Sequence, residues 1–249
     1  MSQTYPNHKV VAVLPAYNAV KTLAQTLADI PPGWVDEIIL VDDASNDGTA
    51  ELARHLGLRV FEHSKNLGYG GNQKTCYQEA LKLGADIIIM IHPDHQYDPR
   101  LVPELLLPII RGDAEAVFGS RMMRPGGARL GGMPLWKYSA NIVLTKLENL
   151  VLGLRLTEYH SGFRAYSRRA LEGVQFLANS DDFVFDTEII IQLRLKQFRI
   201  QEVPIATRYF VGASMISFRR SIEYGFSILR NLSQYILFRF HLRQYDKFC

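Results

Sequence analysis

The sequence predicts an α/β fold, an open and mostly parallel sheet flanked by helices. Three observations carry that expectation. Continuous apolar runs at 10–14, 38–41 and 87–91 have the composition of strands buried on both faces. The segments 19–30, 49–56 and 71–83 space their apolar residues at the helical period. Each apolar run ends in polar or turn-forming residues, "PAYN", "DDASNDG" and "HPDHQ". Ligands of open α/β sheets bind beyond the carboxyl ends of the strands, so these three ends are expected to meet in one site.

The second half is less regular. Residues 119–134, "GSRMMRPGGARLGGMP", are rich in Gly and Arg and read as a mobile loop. Residues 135–152 have helical periodicity, and "SGFRAY" at 161–166 reads as a short strand or turn. A further helix is expected over 186–197, then a strand through "EVPIATRYF". The tail mixes Phe, Ile, Leu and Tyr with Arg219, Arg220, Arg230 and Arg239. The organisation expected is one domain over 8–215 and an amphipathic helical extension over 216–249.

Composition narrows the function classes. With 249 residues and 47% hydrophobic content the chain can bury a real core. A net charge of +3 gives no argument for a nucleic-acid partner. Cys76 and Cys249 do not suggest a disulfide framework and suit a cytoplasmic setting. "MSQTYPNHK" lacks the apolar stretch of a signal peptide, and no uncharged run approaches the roughly 20 residues of a membrane span. A peripheral place on the inner face of a membrane is compatible with both.

At the first strand end, Pro15, Ala16, Tyr17 and Asn18 precede a helix, where Asn18 can serve as N-cap. At the second, Asp42 and Asp43 stand before a turn in which Asp47 is expected to cap the next helix; two further acids can accept hydrogen bonds from a base or a ribose. "HSKNLGYGGNQKT" offers backbone amides, a helix N-terminus, and Lys65 and Lys74 for phosphate oxygens, or is simply a turn. It matches neither the Walker motif nor the dinucleotide fingerprint. At the third, His92, Asp94 and Gln96 alternate and would point the same way if extended. All three are competent ligands for Mn²⁺, and less ideally for Mg²⁺, although a solvated loop is the other reading.

As an ordered set, "PAYN", "VDDASNDGT", "NLGYGGN" and the "HPDHQ" position resemble family-two glycosyltransferases of the GT-A fold, nearest the polyprenyl-phosphate branch that includes dolichol-phosphate mannose synthases. "FGSR", "SGFRAY" and "EVPI" extend the likeness over roughly residues 8 to 215. The resemblance implies a nucleoside-diphosphate-sugar donor, UDP by family frequency. It places Pro15, Ala16, Tyr17, Asn18, Asp42, Asp43, Asn66, Gly71, Lys74 and Pro93 around it. It also implies a divalent cation, Mn²⁺ or Mg²⁺, at His92, Asp94 and Gln96. His92 departs from the family by standing where its first metal acid would be, which shifts the expected preference toward Mn²⁺.

A hydroxyl acceptor needs a general base. A phosphate monoester, with its second pKa near 6, is already largely dianionic at pH 7 and needs positive charge instead. Arg121, Arg124, Arg129, Lys137, Arg164 and Arg208 fall near the expected mouth. The acceptor-phosphate set expected is Arg121, Lys137, Ser161, Arg164 and Arg208. The resemblance matches Glu188 to a site acid of the branch, whereas Asp186 is a catalyst or an N-cap. Two positions on one helix point about 200° apart, so a single face cannot present both; Glu188 is the expected site residue. The acceptor implied is a lipid phosphate at a membrane surface, met by the helices at 135–152 and 218–240, which could instead pack on the sheet or in a homo-oligomer. A hydroxyl-directed transferase and an inactive sugar-nucleotide-binding module are the rival readings.

Overall fold

A computed structural model describes residues 8–207 and 218–249. Among these residues one seven-stranded sheet forms from β1 (Val10–Ala16), β2 (Glu37–Asp42), β3 (Arg59–Glu62), β4 (Ile87–Met90), β5 (Ala116–Ser120), β6 (Arg164–Ser167) and β7 (Ile200–Pro204). The order is β3-β2-β1-β4-β6-β5-β7. β6 runs antiparallel to β4 and β5, and the other neighbouring pairs are parallel. The helices are α1 (Leu23–Ala28), α2 (Thr49–His55), α3 (Gly68–Lys82), α4 (Val102–Ile110), α5 (Gly127–Leu130), α6 (Leu135–Leu152), α7 (Arg168–Gly173), α8 (Phe185–Leu195) and α9 (Phe218–Arg239).

Strand alternation explains the continuous apolar runs. Val11 and Val13 of β1 enter one core with Ile39, Tyr77 and Ile190, while Val10, Ala12 and Leu14 enter the other with Leu40, Ile89 and Leu105. Both faces are covered, so no position in the run can be polar. β3 and β5 carry weaker signals. β3 is a four-residue edge strand with no fully buried side chain, and β5 is interrupted by Gly119, whose Cβ would lie 2.8 Å from Ile205.

Three expected features differ. Asn18 does not cap α1: the N-cap is Thr22, without a side-chain hydrogen bond. Asn18 instead takes a left-handed backbone (φ 52°), and its Oδ1 accepts from Asn46 N–H at 3.1 Å, tying the first two strand ends together. Asp47 does bind the start of α2, through Thr49 N–H at 3.0 Å, from one residue before the N-cap Gly48. The stretch at 119–134 is not all loop, since α5 forms within it and Ala128 and Met133 are buried.

The glycines at 68–71 belong to the first turn of α3, because the segment 180–181 lies directly on that turn. A Cβ on Gly70 would run into Ser180 O and come within 2.9 Å of Phe185 Cβ. Gly70 N–H donates to Asp181 O at 2.8 Å. At the other end of the chain, α9 packs on α6 and α8 through Ile228, Leu232 and Tyr235. The turn after it returns Lys247 to Glu188 and Asn231, with Phe248 buried beside Phe238. The expected boundary at 215/216 lies outside the described residues.

Two substitutions check this packing by denaturant unfolding. Gly70→Ala is expected to destabilise by about 1–3 kcal/mol, the usual range for overpacking. Gly225→Ala, in α9 where a Cβ would meet nothing within 4 Å, is expected to stabilise by about 0.5–1 kcal/mol. The opposite signs would refute the placement of either helix.

Candidate active site

The carboxyl ends of β1, β2 and β4 open into one cavity of about 1240 Å³. Pro15, Ala16, Tyr17 and Asn18 from the β1 end line it, as do Asp43, Asn66 and Pro93. His92, Asp94 and Gln96 reach it too, but through a turn, not by strand alternation, since His95 between them has φ 59°. Asp94 Oδ1 accepts from Gln96 N–H at 3.1 Å. His92 stacks on Tyr69, ring centroids 5.8 Å apart, and turns its buried Nε2 onto Gly162 without a hydrogen-bond partner. Burial holds this imidazole below its usual pKa, although Asp94 and Asp186 pull the other way. Among the described residues, no three of His, Cys, Asp and Glu stand close enough to hold a metal by themselves.

The acids after β2 work mainly within the fold. Asp42 is buried behind the cavity, with Oδ2 accepting from Ser45 N–H at 2.9 Å and Oδ1 left without a partner. Asp43 borders the cavity, but its carboxylate accepts from Leu67 N–H at 2.8 Å and Gly68 N–H at 3.0 Å, and meets His63 Nδ1 at 2.7 Å. The expected phosphate cradle is therefore corrected. The amides at 67 and 68 serve Asp43, and those at 70 and 71 serve Asp181 O. Gly71 does not border the cavity, and Lys74 pairs with Asp181 at 2.7 Å.

The choice between Asp186 and Glu188 reverses. Asp186 borders the cavity, accepting from Tyr69 Oη at 2.9 Å and Gln73 Nε2 at 3.3 Å. It is the second residue of α8 and not its cap. Glu188 points to the other side of the helix, where it accepts from Ser180 N–H at 2.6 Å and from Lys247 Nζ at 2.8 Å. The angular argument from the sequence holds, and the phase of the helix picks the other acid.

Several expected phosphate ligands prove structural. Arg164 is fully buried, donating to Ser161 O and Tyr159 O at 2.6 Å and pairing with Asp186 at 3.4 Å. Burial opposes its charge, but Asp186 and nearby tyrosines more than offset this and raise its pKa. Ser161 is buried in the same turn and does not reach the cavity. Arg121 does border it, yet its guanidinium is paired with buried Glu158, and its backbone N–H donates to the same carboxylate at 2.7 Å. Burial favours the neutral acid at Glu158, and Arg121 overcomes this to hold its pKa below the usual range. Lys137 lies on the cavity wall, its pKa lowered to about 8 by burial and by Arg121. Arg208 lies outside the described residues.

Sequence reasoning missed Tyr69, Glu158, His160 and the cavity face of α9, where Arg220, Ser221 and Tyr224 complete the wall. The run "EYH" directly before "SGFRAY" is the one local signal, a buried-type aromatic between two titratable groups. α9 offers none beyond its amphipathic pattern.

Residues 11–174 match the sequence model of Glycosyl transferase family 2. The chain belongs to that family. Its relatives include the UDP-N-acetylglucosamine–dolichyl-phosphate N-acetylglucosaminyltransferase of Methanococcus voltae, 30% identical over 80% of this chain and 86% of that protein. The undecaprenyl-phosphate mannosyltransferase of Micrococcus luteus is 28% identical over 79% of this chain and 82% of that protein. Among solved structures, glucosyl-3-phosphoglycerate synthase from Mycobacterium tuberculosis with Mn²⁺, UDP and phosphoglyceric acid has a TM-score of 0.69 at 21% identity, covering 98% of this chain and 82% of that one. The structural likeness bears on the fold, which is GT-A, and the sequence relatives lie in the polyprenyl-phosphate branch of the family.

The assignment of Glu188 has a kinetic consequence in this glycosyltransferase. Glu188→Gln is expected to lower stability by about 1–3 kcal/mol, through its lost charged partner Lys247, and to leave kcat within about threefold. A hundredfold fall in kcat with unchanged stability would return Glu188 to the reaction.

Proposed function

We propose that this protein transfers a sugar from a UDP-sugar to a polyprenyl phosphate at a membrane surface, with inversion at the anomeric carbon. One observation carries the reading: a single cavity presents a carboxylate fit for a cation, Asp94, and a cation fit for a phosphate, Lys137, with Asp186 facing the same space. The names of the Methanococcus and Micrococcus relatives support the lipid-phosphate acceptor, and the Mn²⁺ and UDP of the mycobacterial structures support the donor.

Asp94 and Gln96 are the residues that would hold a divalent cation; His92, expected from the sequence as the third ligand, instead turns its Nε2 onto Gly162. One carboxylate fits this role because Mg²⁺-type sites commonly combine one or two carboxylates with substrate phosphates. Bound there, such an ion would stabilise the departing diphosphate as a leaving group. Pro15, Ala16, Tyr17 and Asn18 bracket the base and ribose beside Asp43. The acceptor phosphate is dianionic at neutral pH and needs no base to remove a proton. Lys137 attracts it. Asp186, held by Tyr69, Gln73 and Arg164, orients the reacting sugar. The acceptor oxygen then attacks the anomeric carbon from the face opposite the diphosphate.

The membrane contact rests on exposed apolar side chains. Ile222, Phe226, Leu229 and Ile236 of α9 are exposed and fall in a stripe about 80° wide at 100° per residue, and Phe240 just past the helix end is exposed too. Arg219 and Arg230 lie along one edge of the stripe. Leu135, Val143 and Leu150 are exposed on α6, which packs against α9. A helix with one face packed and another apolar and edged by arginines suits a bilayer interface. No helix among the described residues is long and apolar enough to cross a membrane.

Turnover with a panel of UDP-sugars and a polyprenyl phosphate tests the reading; transfer is expected to need Mn²⁺ or Mg²⁺ and to fall at least a hundredfold in Asp94→Ala. Equal transfer to an alcohol lacking the phosphate would contradict it. Lys137 adds a pH signature. Its folded-state pKa near 8 lies below the ordinary lysine value, so its charge is present below pH 8 and lost above it. The acceptor KM is expected to rise above about pH 8, and Lys137→Arg should flatten that rise. Phe226→Glu should reduce sedimentation with anionic vesicles while leaving turnover of a short water-soluble isoprenyl phosphate unchanged.

A further inference from the structure

We propose that His92 is a positioning residue and not a cation ligand: its ring supports Tyr69, which in turn holds the Asp186 carboxylate. The proposal deepens the reading above and rests on its cation at Asp94 and its sugar-orienting Asp186. It gives a role to the residue that stands where the family resemblance implies an acid.

The imidazole is packed among aromatic rings. It lies parallel to Tyr69, with 4° between the planes and 5.8 Å between the centroids, and its centroid is 6.1 Å from that of Tyr97. Offset parallel rings are a favoured aromatic arrangement. Tyr97 is itself tied down, since its ring stacks on Phe163 at 5.8 Å and its Oη accepts from Gly162 N–H at 3.1 Å. Burial holds the His92 imidazole below its usual pKa, so at neutral pH it meets Tyr69 as an uncharged ring. A Cβ on Gly162 would run into His92 Nε2 and come within 3.1 Å of Tyr69 Oη. Glycine at 162 leaves room for both groups. An aspartate at 92 would offer no ring to Tyr69 and would set a second negative charge near Asp186, which burial disfavours.

Tyr69 carries the effect to the cavity acid. Its ring also packs on Phe183, with centroids 4.9 Å apart, and its Oη donates to Asp186 at 2.9 Å. Burial and the Asp186 charge raise the pKa of this phenol well above its ordinary value, so it stays a donor. Gln73 and Arg164 reach the same carboxylate at 3.3 and 3.4 Å, so the Tyr69 contact is the shortest of the three. A donor whose ring is packed against two others holds its acceptor in one orientation, as a reacting group requires.

Pulsed EPR of Mn²⁺ bound with UDP tests the first half. No imidazole-nitrogen coupling from His92 is expected, and His92→Ala should keep the Mn²⁺ affinity within about threefold of wild type. A nitrogen coupling that disappears in His92→Ala, or a tenfold loss of Mn²⁺ affinity in that variant, overturns the proposal while leaving the cation site intact. Steady-state kinetics with geranyl phosphate and the fastest donor of the UDP-sugar panel test the second half. His92→Ala and Tyr69→Phe are each expected to lower kcat about tenfold with the donor KM within about threefold, and His92→Phe to restore part of the loss. Neither change should add to Asp186→Asn. UDP affinity reports the folding of each variant. Wild-type kcat in Tyr69→Phe, or full additivity with Asp186→Asn, overturns the link to the acid. Failure of wild type to bind Mn²⁺ with UDP, or wild-type kcat in Asp186→Asn, overturns the reading on which the proposal rests.

Discussion

The buried pair of Arg164 and Asp186 sets the geometry on which the cavity depends. Arg164 leaves the antiparallel strand β6 and Asp186 the first turn of α8, so their contact fixes that helix against the centre of the sheet. A buried pair of this kind is weak as net stabilisation, yet removing one partner leaves a charge that water cannot reach, typically at about 3–5 kcal/mol. Carbonyls of Tyr159 and Ser161 complete the arginine's shell, and Tyr69 and Gln73 complete the carboxylate's. The result is an acid that faces the cavity with its orientation already decided. Its neighbour two residues on, Glu188, is committed to the chain end.

The same economy governs the backbone amides. A Gly-rich stretch entering a helix offers N–H groups that suit a phosphate. Here those groups meet protein acceptors, the Asp43 carboxylate and the Asp181 carbonyl, and the glycines are required because that carbonyl segment lies against the helix. On the function proposed above, a donor diphosphate would be met from the other side, by the turn after β4 that carries Asp94. That arrangement would leave charge neutralisation to a cation and to the side chains of the opposite wall.

Much of this was legible in the sequence, for physical reasons that also explain the gaps. Val10 to Leu14, Ile38 to Val41 and Ile87 to Ile91 read correctly because a strand covered on both faces admits no polar residue. The meeting of three strand ends followed from parallel topology alone. Arg164 was misread because an isolated arginine in a motif looks the same whether it is exposed or buried. Asp186 and Glu188 could not be separated, since which of two opposed positions faces the cavity depends on where the helix docks. Arg220 and Tyr224 carry no motif, and their place on the wall comes from the packing of α9 against α6 and α8.

The central claim is that one cavity holds a cation and a nucleoside diphosphate at Asp94. Anomalous diffraction at the manganese edge, from crystals soaked with Mn²⁺ and UDP, tests it most directly. The account predicts a single strong peak within bonding distance of the Asp94 carboxylate and of both UDP phosphates. UDP bound in the cavity with manganese absent from Asp94, or placed elsewhere, would contradict it.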